Sequence, residues 1–154
     1  MTPVSARDLR TIDRLGMLLA QHGTTTSARI RQALTLPGLP LRHAMTLMHL
    51  SDGPIGQRTL IETLAVDPSV LVAILNDLEG DGLVERRRDP ADRRRHIVEI
   101  TSKGAEMMTQ VDLALANVES ELFGGLDADD LAHLRRILDR IKDNTGAGPC
   151  TGEE

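Results

Sequence analysis

Phe123 is the only aromatic residue among 154. A core without aromatic platforms has to be filled by Leu, Ile, Val, Met and Ala, side chains that interlock readily between helices. An all-β sandwich is therefore disfavoured and a mainly helical fold is expected. The length suits one domain with a real core and is too short for two ordinary ones. Apolar residues make up 40% of the chain and charged residues 27%, the balance of a soluble globular protein, and no apolar run approaches the length of a membrane span. Met1 to Arg7 lacks the apolar stretch of a secretory signal, and Cys150 is the sole cysteine, so no internal disulfide can form. A cytoplasmic protein is the expectation.

Hydrophobic periodicity predicts the elements. From Asp8 to Leu36, Leu9, Ile12, Leu15, Leu19, Ile30, Ala33 and Leu34 recur at helical spacing, with a bend expected at His22-Gly23-Thr24-Thr25-Thr26 and a stop at Pro37-Gly38-Leu39-Pro40. Leu41 to Leu50 predicts a second helix with Leu41, Ala44, Met45 and Met48 on its apolar face. Gln57 to Ala65 gives a third. Asp67-Pro68 then supplies an N-cap residue and a proline at the first helical position of a fourth, whose buried stripe is Leu71, Ile74, Leu75 and Leu78. These two short helices read as a helix-turn-helix. Leu83 to Arg88 and Arg95 to Ile100 are strands of a β-hairpin, joined by a turn rich in aspartate and proline. Thr101 caps a long helix with Met107, Met108, Val111, Leu115, Val118 and Leu122 along one side. Asp127 caps a last helix carrying Leu131, Leu134, Ile137, Leu138 and Ile141, ahead of a disordered tail from Asn144 to Glu154.

A hairpin directly after a helix-turn-helix makes the fold class mainly α with a small β-hairpin: a winged helix-turn-helix spanning residues 41–100. It is flanked by helices at 8–36 and 102–143. Those flanking helices carry more apolar surface than so small a lobe can cover, which predicts that they pair with a second copy of the chain.

Net charge is -5, an unpromising sum for a nucleic-acid binder, but its distribution differs from its total. Between Glu85 and Arg95 stand six arginines (Arg86, Arg87, Arg88, Arg93, Arg94, Arg95) and three acids (Glu85, Asp89, Asp92), so this segment carries +3 and the remainder -8. A helix-turn-helix followed by a cationic hairpin points to duplex DNA, the helix in the major groove and the hairpin in the neighbouring minor groove. Arg94 is the candidate wing tip, with Arg93, Arg95 and Arg86 as further cationic contacts. On the recognition helix the candidate positions are Ser69, Val70, Val72, Ala73 and Asn76, and no lysine or arginine stands among them. Valine can pack on a thymine methyl, Ser69 can bind phosphate and Asn76 can read adenine.

Leu78-Glu79-Gly80-Asp81-Gly82-Leu83-Val84-Glu85-Arg86, then Asp89-Pro90-Ala91-Asp92-Arg93-Arg94-Arg95, then Ile100-Thr101-Ser102-Lys103-Gly104 together resemble the MarR family of transcriptional regulators. The resemblance implies a triangular homodimer with intertwined terminal helices and two winged lobes, bound to a pseudo-palindromic operator and released by a small anionic or phenolic ligand. It further implies that Asp92 holds Arg94 by an ion pair. It places a ligand pocket between the dimerisation helices and the winged lobe, near Arg14, His22, Arg42, His43 and His49. The chain departs from the family at Val70, Val72 and Ala73, where threonines and a basic residue are usual.

Other chemistries find little footing. The five histidines, His22, His43, His49, His96 and His133, form no i, i+4 pair, so no metal site or cofactor is expected. Cys150 has no basic neighbour to lower its pKa. Met45, Met48, Met107 and Met108 read as core filling. No nucleophile, base and orienting group can be assembled, so an enzyme is not expected. The reading is a homodimeric, sequence-specific repressor relieved by an effector. The alternative is a winged-helix dimer that serves as an interaction module with weak or non-specific DNA binding.

Overall fold

The computed structural model describes residues 10–145, so Asp8, Leu9, Cys150 and all but the first two residues of the predicted tail lie outside the described residues. A 3-10 turn at Thr11–Asp13 precedes α1 (Leu15–Leu34), followed by α2 (Leu41–Leu50), β1 (Ile55–Gly56), α3 (Gln57–Leu64), α4 (Pro68–Gly80), β2 (Val84–Arg88), β3 (His96–Ile100), α5 (Ser102–Leu122) and α6 (Ala128–Thr145). No single helix among the described residues is long and apolar enough to cross a membrane.

The first helix departs from expectation at its start and in its middle. Residues 11–13 form a separate turn, held by Arg10 Nε donating to Asp13 Oδ2 at 2.8 Å. The expected bend at His22–Thr26 is absent. Thr24 bonds back to the Ala20 carbonyl at 3.0 Å, and Thr26, Ser27, Ile30 and Ala33 are half-buried where this half of α1 lies along α5. Packing of that kind outweighs the roughly 1 kcal/mol that one helical glycine costs. The stop is as expected: Gly38, at φ 75°, lets Leu39 N–H reach back to the Leu34 carbonyl at 3.1 Å.

α2 occupies its predicted span, but its deepest residues are Ala44, Thr46, Leu47 and Leu50, while Met45 and Met48 are half-buried. Thr46 is tolerated there because its hydroxyl donates to the Arg42 carbonyl at 2.8 Å. α3 ends at Ala65, whose left-handed φ of 50° turns the chain sharply, and α4 follows at 114° to α3. Asp67 sits at the N-cap of α4 without using its side chain. Its carbonyl instead accepts from Val70 and Leu71, at 3.0 and 3.1 Å. Leu71, Ile74, Leu75 and Leu78 are the buried stripe, joined in one core by Leu47, Leu50, Leu60, Leu64, Leu83, Val84, Val98 and Val111.

The wing is a three-stranded antiparallel sheet of order β1-β3-β2, one strand more than the predicted hairpin. β2 and β3 pair from Val84↔Ile100 to Arg88↔His96, and Ile55 pairs with Val98 on the other edge. A two-residue strand leaves no alternation pattern to read in sequence.

The two ends of the Leu78–Gly104 stretch meet at one junction. Gly82, at φ 73°, closes α4 by letting Leu83 N–H reach the Leu78 carbonyl at 2.8 Å. The Thr101 hydroxyl donates to the Gly82 carbonyl at 2.6 Å and accepts from Gly104 N–H at 3.0 Å, capping α5. A Cβ on Gly104 would lie 2.2 Å from the Leu83 carbonyl oxygen, so only glycine fits.

α6 starts from reciprocal capping, with Asp127 Oδ1 accepting from Asp130 N–H at 2.8 Å and Asp130 Oδ2 accepting from Asp127 N–H at 3.3 Å. It continues through Asn144 and Thr145, residues expected in the tail. None of its residues is buried, and Leu131, Ile137, Leu138 and Ile141 stay exposed together with Leu15, Met17 and Leu19 of α1.

Candidate nucleic-acid interface

α4 presents Ser69, Val72, Ala73 and Asn76 on the side away from its buried stripe, and all four are exposed. Val70, predicted with them, is half-buried and lines a cavity behind the helix.

The wing is tied to this helix by Arg86. Its Nη2 donates to Asn76 Oδ1 at 2.7 Å and to Glu79 Oε1 at 3.1 Å, and its Nε and backbone N–H both donate to Glu79 Oε2 at 3.2 Å. A planar fork with several fixed donors is suited to such multiple engagement. The hydrogen bond from the Arg86 side chain, reinforced by its charge, holds the Glu79 carboxyl below the usual carboxylate range. Arg86, foreseen as a DNA contact, is thus turned inward: its side chain is 21% exposed and it braces β2 against α4. Asn76, foreseen as a reader of adenine, has its carbonyl engaged by the same guanidinium.

The loop from Asp89 to Arg95 is folded by its own acids. Asp89 Oδ1 accepts from Ala91 N–H at 2.9 Å and Asp92 Oδ1 from Arg94 N–H at 3.1 Å, each an Asx turn. The expected ion pair between Asp92 and Arg94 is replaced by one between Asp92 Oδ2 and Arg95 Nε at 3.5 Å. The turn commits one carboxylate oxygen to the backbone of Arg94 and leaves the other facing the next residue. Arg88 donates to the Arg93 carbonyl at 3.1 Å, and Arg87 pairs with Glu99 at 3.7 Å. Among the described residues the guanidinium groups of Arg93 and Arg94 have no acidic partner, so they carry the outward positive charge of the wing. Beside them, Arg58 at the start of α3 shares a cleft of about 500 Å³ with Arg94, Arg95 and His96. Arg58 escaped the sequence reading because only the three-dimensional wing brings it to the arginine cluster.

Of the five residues foreseen near an effector pocket, Arg42 and His43 line a cavity of about 860 Å³ between α1, α2 and α4. Arg14, just ahead of α1, and His22 on α1 lie exposed and His49 lies half-buried on α2, all outside its lining. His43 Nε2 meets Asp77 Oδ2 of α4 at 2.9 Å, and its buried Nδ1 has no hydrogen-bond partner. Asp77, Arg31, Ser27 and Thr35 complete the polar lining. Neither Asp77 nor Arg31 carries a local sequence signal, since the pairing with His43 spans 34 positions.

Comparison with known proteins gives a consistent result. Residues 38–95 match the family model described as MarR family. The chain is similar to the HTH-type transcriptional repressor NicR of Pseudomonas putida, 29% identical over 133 residues, covering 86% of this chain and 84% of that one. Its fold is similar to that of a mutant of Escherichia coli MarR complexed with operator DNA (26% identity, 84% of this chain and 94% of that one, TM-score 0.72). It is also similar to CouR of Rhodococcus jostii RHA1 bound to p-coumaroyl-CoA (27% identity, 84% and 92%, TM-score 0.73).

Proposed function

We propose that the chain is a transcriptional regulator of the MarR family, whose model matches residues 38–95, and that it is a homodimeric repressor that binds a pseudo-palindromic operator and is released by a small organic anion. The observation that carries the DNA-binding part is the brace. Through Asn76, Glu79 and Arg86 the recognition helix and the wing form one unit, with the unpaired Arg93 and Arg94 at the end of that unit. The helix enters the major groove and the arginines reach phosphates or the adjacent minor groove, whose negative potential draws guanidinium groups.

Dimerisation is supported by α1 and α6, whose Leu15, Met17, Leu19, Leu131, Ile137, Leu138 and Ile141 face solvent in the single chain. A monomer with that much exposed aliphatic surface on two long helices is unfavourable in water. Effector release is supported by the cavity. Its lining is mostly apolar, with Ser27, Arg31, Thr35, Arg42, His43 and Asp77 at its polar positions; two arginines stand against one acid, a make-up that suits an aromatic or acyl carboxylate, and the recognition helix itself forms one wall.

Selection of duplexes from a random library, followed by footprinting, tests the reading. A protected inverted repeat with half-sites about one helical turn apart is the expected result. A second reading is favoured by one observation, the absence of any lysine or arginine from Asp67 to Gly82: a dimer that grips DNA without sequence preference. Selected and unrelated duplexes bound with a ratio of ~10³ or more exclude it, and equal affinities establish it in place of the first.

A further inference from the structure

We propose that the recognition helix reads its operator chiefly through thymine methyl groups, with Val72 as the contact residue. This rests on the DNA-binding reading above and adds how sequence is distinguished.

The outward stripe of α4 is Ser69, Val72, Ala73 and Asn76. In the major groove, bases are told apart by hydrogen-bond donors and acceptors and by one apolar feature, the thymine methyl. The side chains usual for the first kind of reading are reduced here. No guanidinium or ammonium projects from the helix to take a guanine edge. Asn76 normally pairs with adenine by accepting from N6 through its carbonyl and donating to N7 through its amide nitrogen. Here the carbonyl is drawn toward the wing, 2.7 Å from Arg86 Nη2. A guanidinium only donates, so the amide cannot be flipped without losing that bond, and the group Asn76 turns to the groove is its N–H₂. Ser69 adds one hydroxyl at the N-terminal end of the helix.

What remains in the middle of the stripe is apolar. Val72 is 38% exposed and Ala73 is exposed beside it. A valine held in front of a polyanion gains nothing from phosphates, but its two methyl groups fit a base edge that also carries a methyl. The wing supplies the electrostatic grip through Arg93 and Arg94, so the two jobs are divided: charge holds the duplex and the helix discriminates by apolar contact.

The test uses the full chain and a duplex obtained by selection. Replacing each thymine singly by uracil removes only the methyl. At one position per half-site, affinity falls about fourfold, and about fifteenfold when both half-sites are changed together, the equivalent of one buried methyl each. Total affinity drops steeply between about 50 and 200 mM salt, because phosphate contacts release counterions. The uracil penalty keeps the same ratio throughout, because a methyl contact carries no charge. Val72→Ala weakens binding to the thymine duplex and brings the uracil penalty at that position close to one, the signature of direct coupling in a double-mutant cycle. Alanine is the better helix former at an exposed site, so the variant folds, and its circular dichroism melting curve verifies this. Uracil duplexes bound as tightly as thymine duplexes overturn the proposal, as does an unchanged penalty in Val72→Ala. Equal binding to every duplex overturns the parent reading as well, which separates the two failures.

Discussion

Arg86 provides the sharpest way to separate a residue that touches DNA from one that positions what does. Its guanidinium spans Asn76 and Glu79 with contacts of 2.7 to 3.2 Å, and the pair is partly open to water, 21% exposed at Arg86 and 43% at Glu79. Hydrogen bonds to a charged group are worth about 1.5–3 kcal/mol when buried, and solvent at this site reduces the sum for Arg86→Met to about 1–2 kcal/mol of folding stability. In a chain of this size the melting temperature falls by about 3–6 °C. The same energy sets how far the wing strays from the helix. Without the brace, DNA binding has to restore their relative placement, and affinity drops about five- to thirtyfold for each half-site. The decisive reading is the salt dependence. An arginine on a phosphate contributes a log-log slope of about -0.9, whereas a brace that never meets the backbone contributes none. Fluorescence anisotropy on one selected duplex over a salt series is therefore expected to give a vertically displaced line of unchanged slope for Arg86→Met, and a slope shallower by about two units, one for each protomer, for Arg94→Met. A shallower slope for Arg86→Met would refute the reasoning and return that side chain to the list of direct contacts.

The pH dependence of the brace follows from Glu79, whose carboxyl is lowered by Arg86. The stabilisation is fully present above the ordinary carboxylate range and is lost as pH falls below it, so wild type loses more stability on acidification than Glu79→Gln does, as urea melts at several pH values will show. Gly104→Ala places a Cβ 2.2 Å from the Leu83 oxygen and 2.6 Å from Ile100 Cγ1, and because the first of these is backbone, a loss of about 3 kcal/mol and a melting temperature lower by about 6–12 °C are expected in calorimetry. Ile137→Glu combined with Leu138→Asp, both exposed in the single chain, leaves a monomer in analytical ultracentrifugation while the winged lobe keeps its helical signal. A dimer that survives this double change would remove α6 from the interface.

Legibility in the sequence followed the range of the interactions. Spans of α2, α3, α4, β2, β3, α5 and α6 were readable to within a residue or two because each has an apolar period and a local stop, such as Pro68 at the start of α4 or Gly82 after it. The unbroken middle of α1 was not, since the half-buried face that overrides Gly23 and the threonines lies against α5, about ninety positions away in the chain. The short β1 has no pattern of its own and exists only because Val98 offers an edge to Ile55. At the interface, residue types were legible and pairings were not. Six arginines in a basic loop announce an anion, but which of them face outward depends on where Glu79, Asn76, Asp92 and Glu99 sit once the wing has folded. Arg86 and Arg94 are equally cationic in sequence, and the fold alone turns one inward and leaves the other unpaired.

α4 is the element on which these roles converge, and its helical geometry explains how one segment serves all of them. Residues 71, 74, 75 and 78 point into the core, Ser69, Val72, Ala73 and Asn76 make up the exposed side, and Val70 and Asp77 on one flank wall the cavity together with Ala73 at the edge of the exposed side. On the proposed function, a ligand in that cavity would press on the recognition helix directly, with no intermediate element, and Asp77 would give it a second handle through His43. Because Arg86 ties β2 to the same helix, a small rotation of α4 carries the wing with it, moving the reading face and the cationic loop together. Coupling free energies between sites are typically about 1–3 kcal/mol, a five- to 150-fold change in affinity. A contact that shifts helix and wing as one unit spoils both the major-groove fit and the phosphate grip, so a modest preference of the ligand for the shifted state is enough to reach that range. On the proposed function, the brace is the element that would couple cavity and interface. Loosening it is expected to lower the resting affinity and also to narrow the ratio between the free and ligand-bound states, because a wing no longer tied to α4 keeps its hold on phosphates when the helix turns.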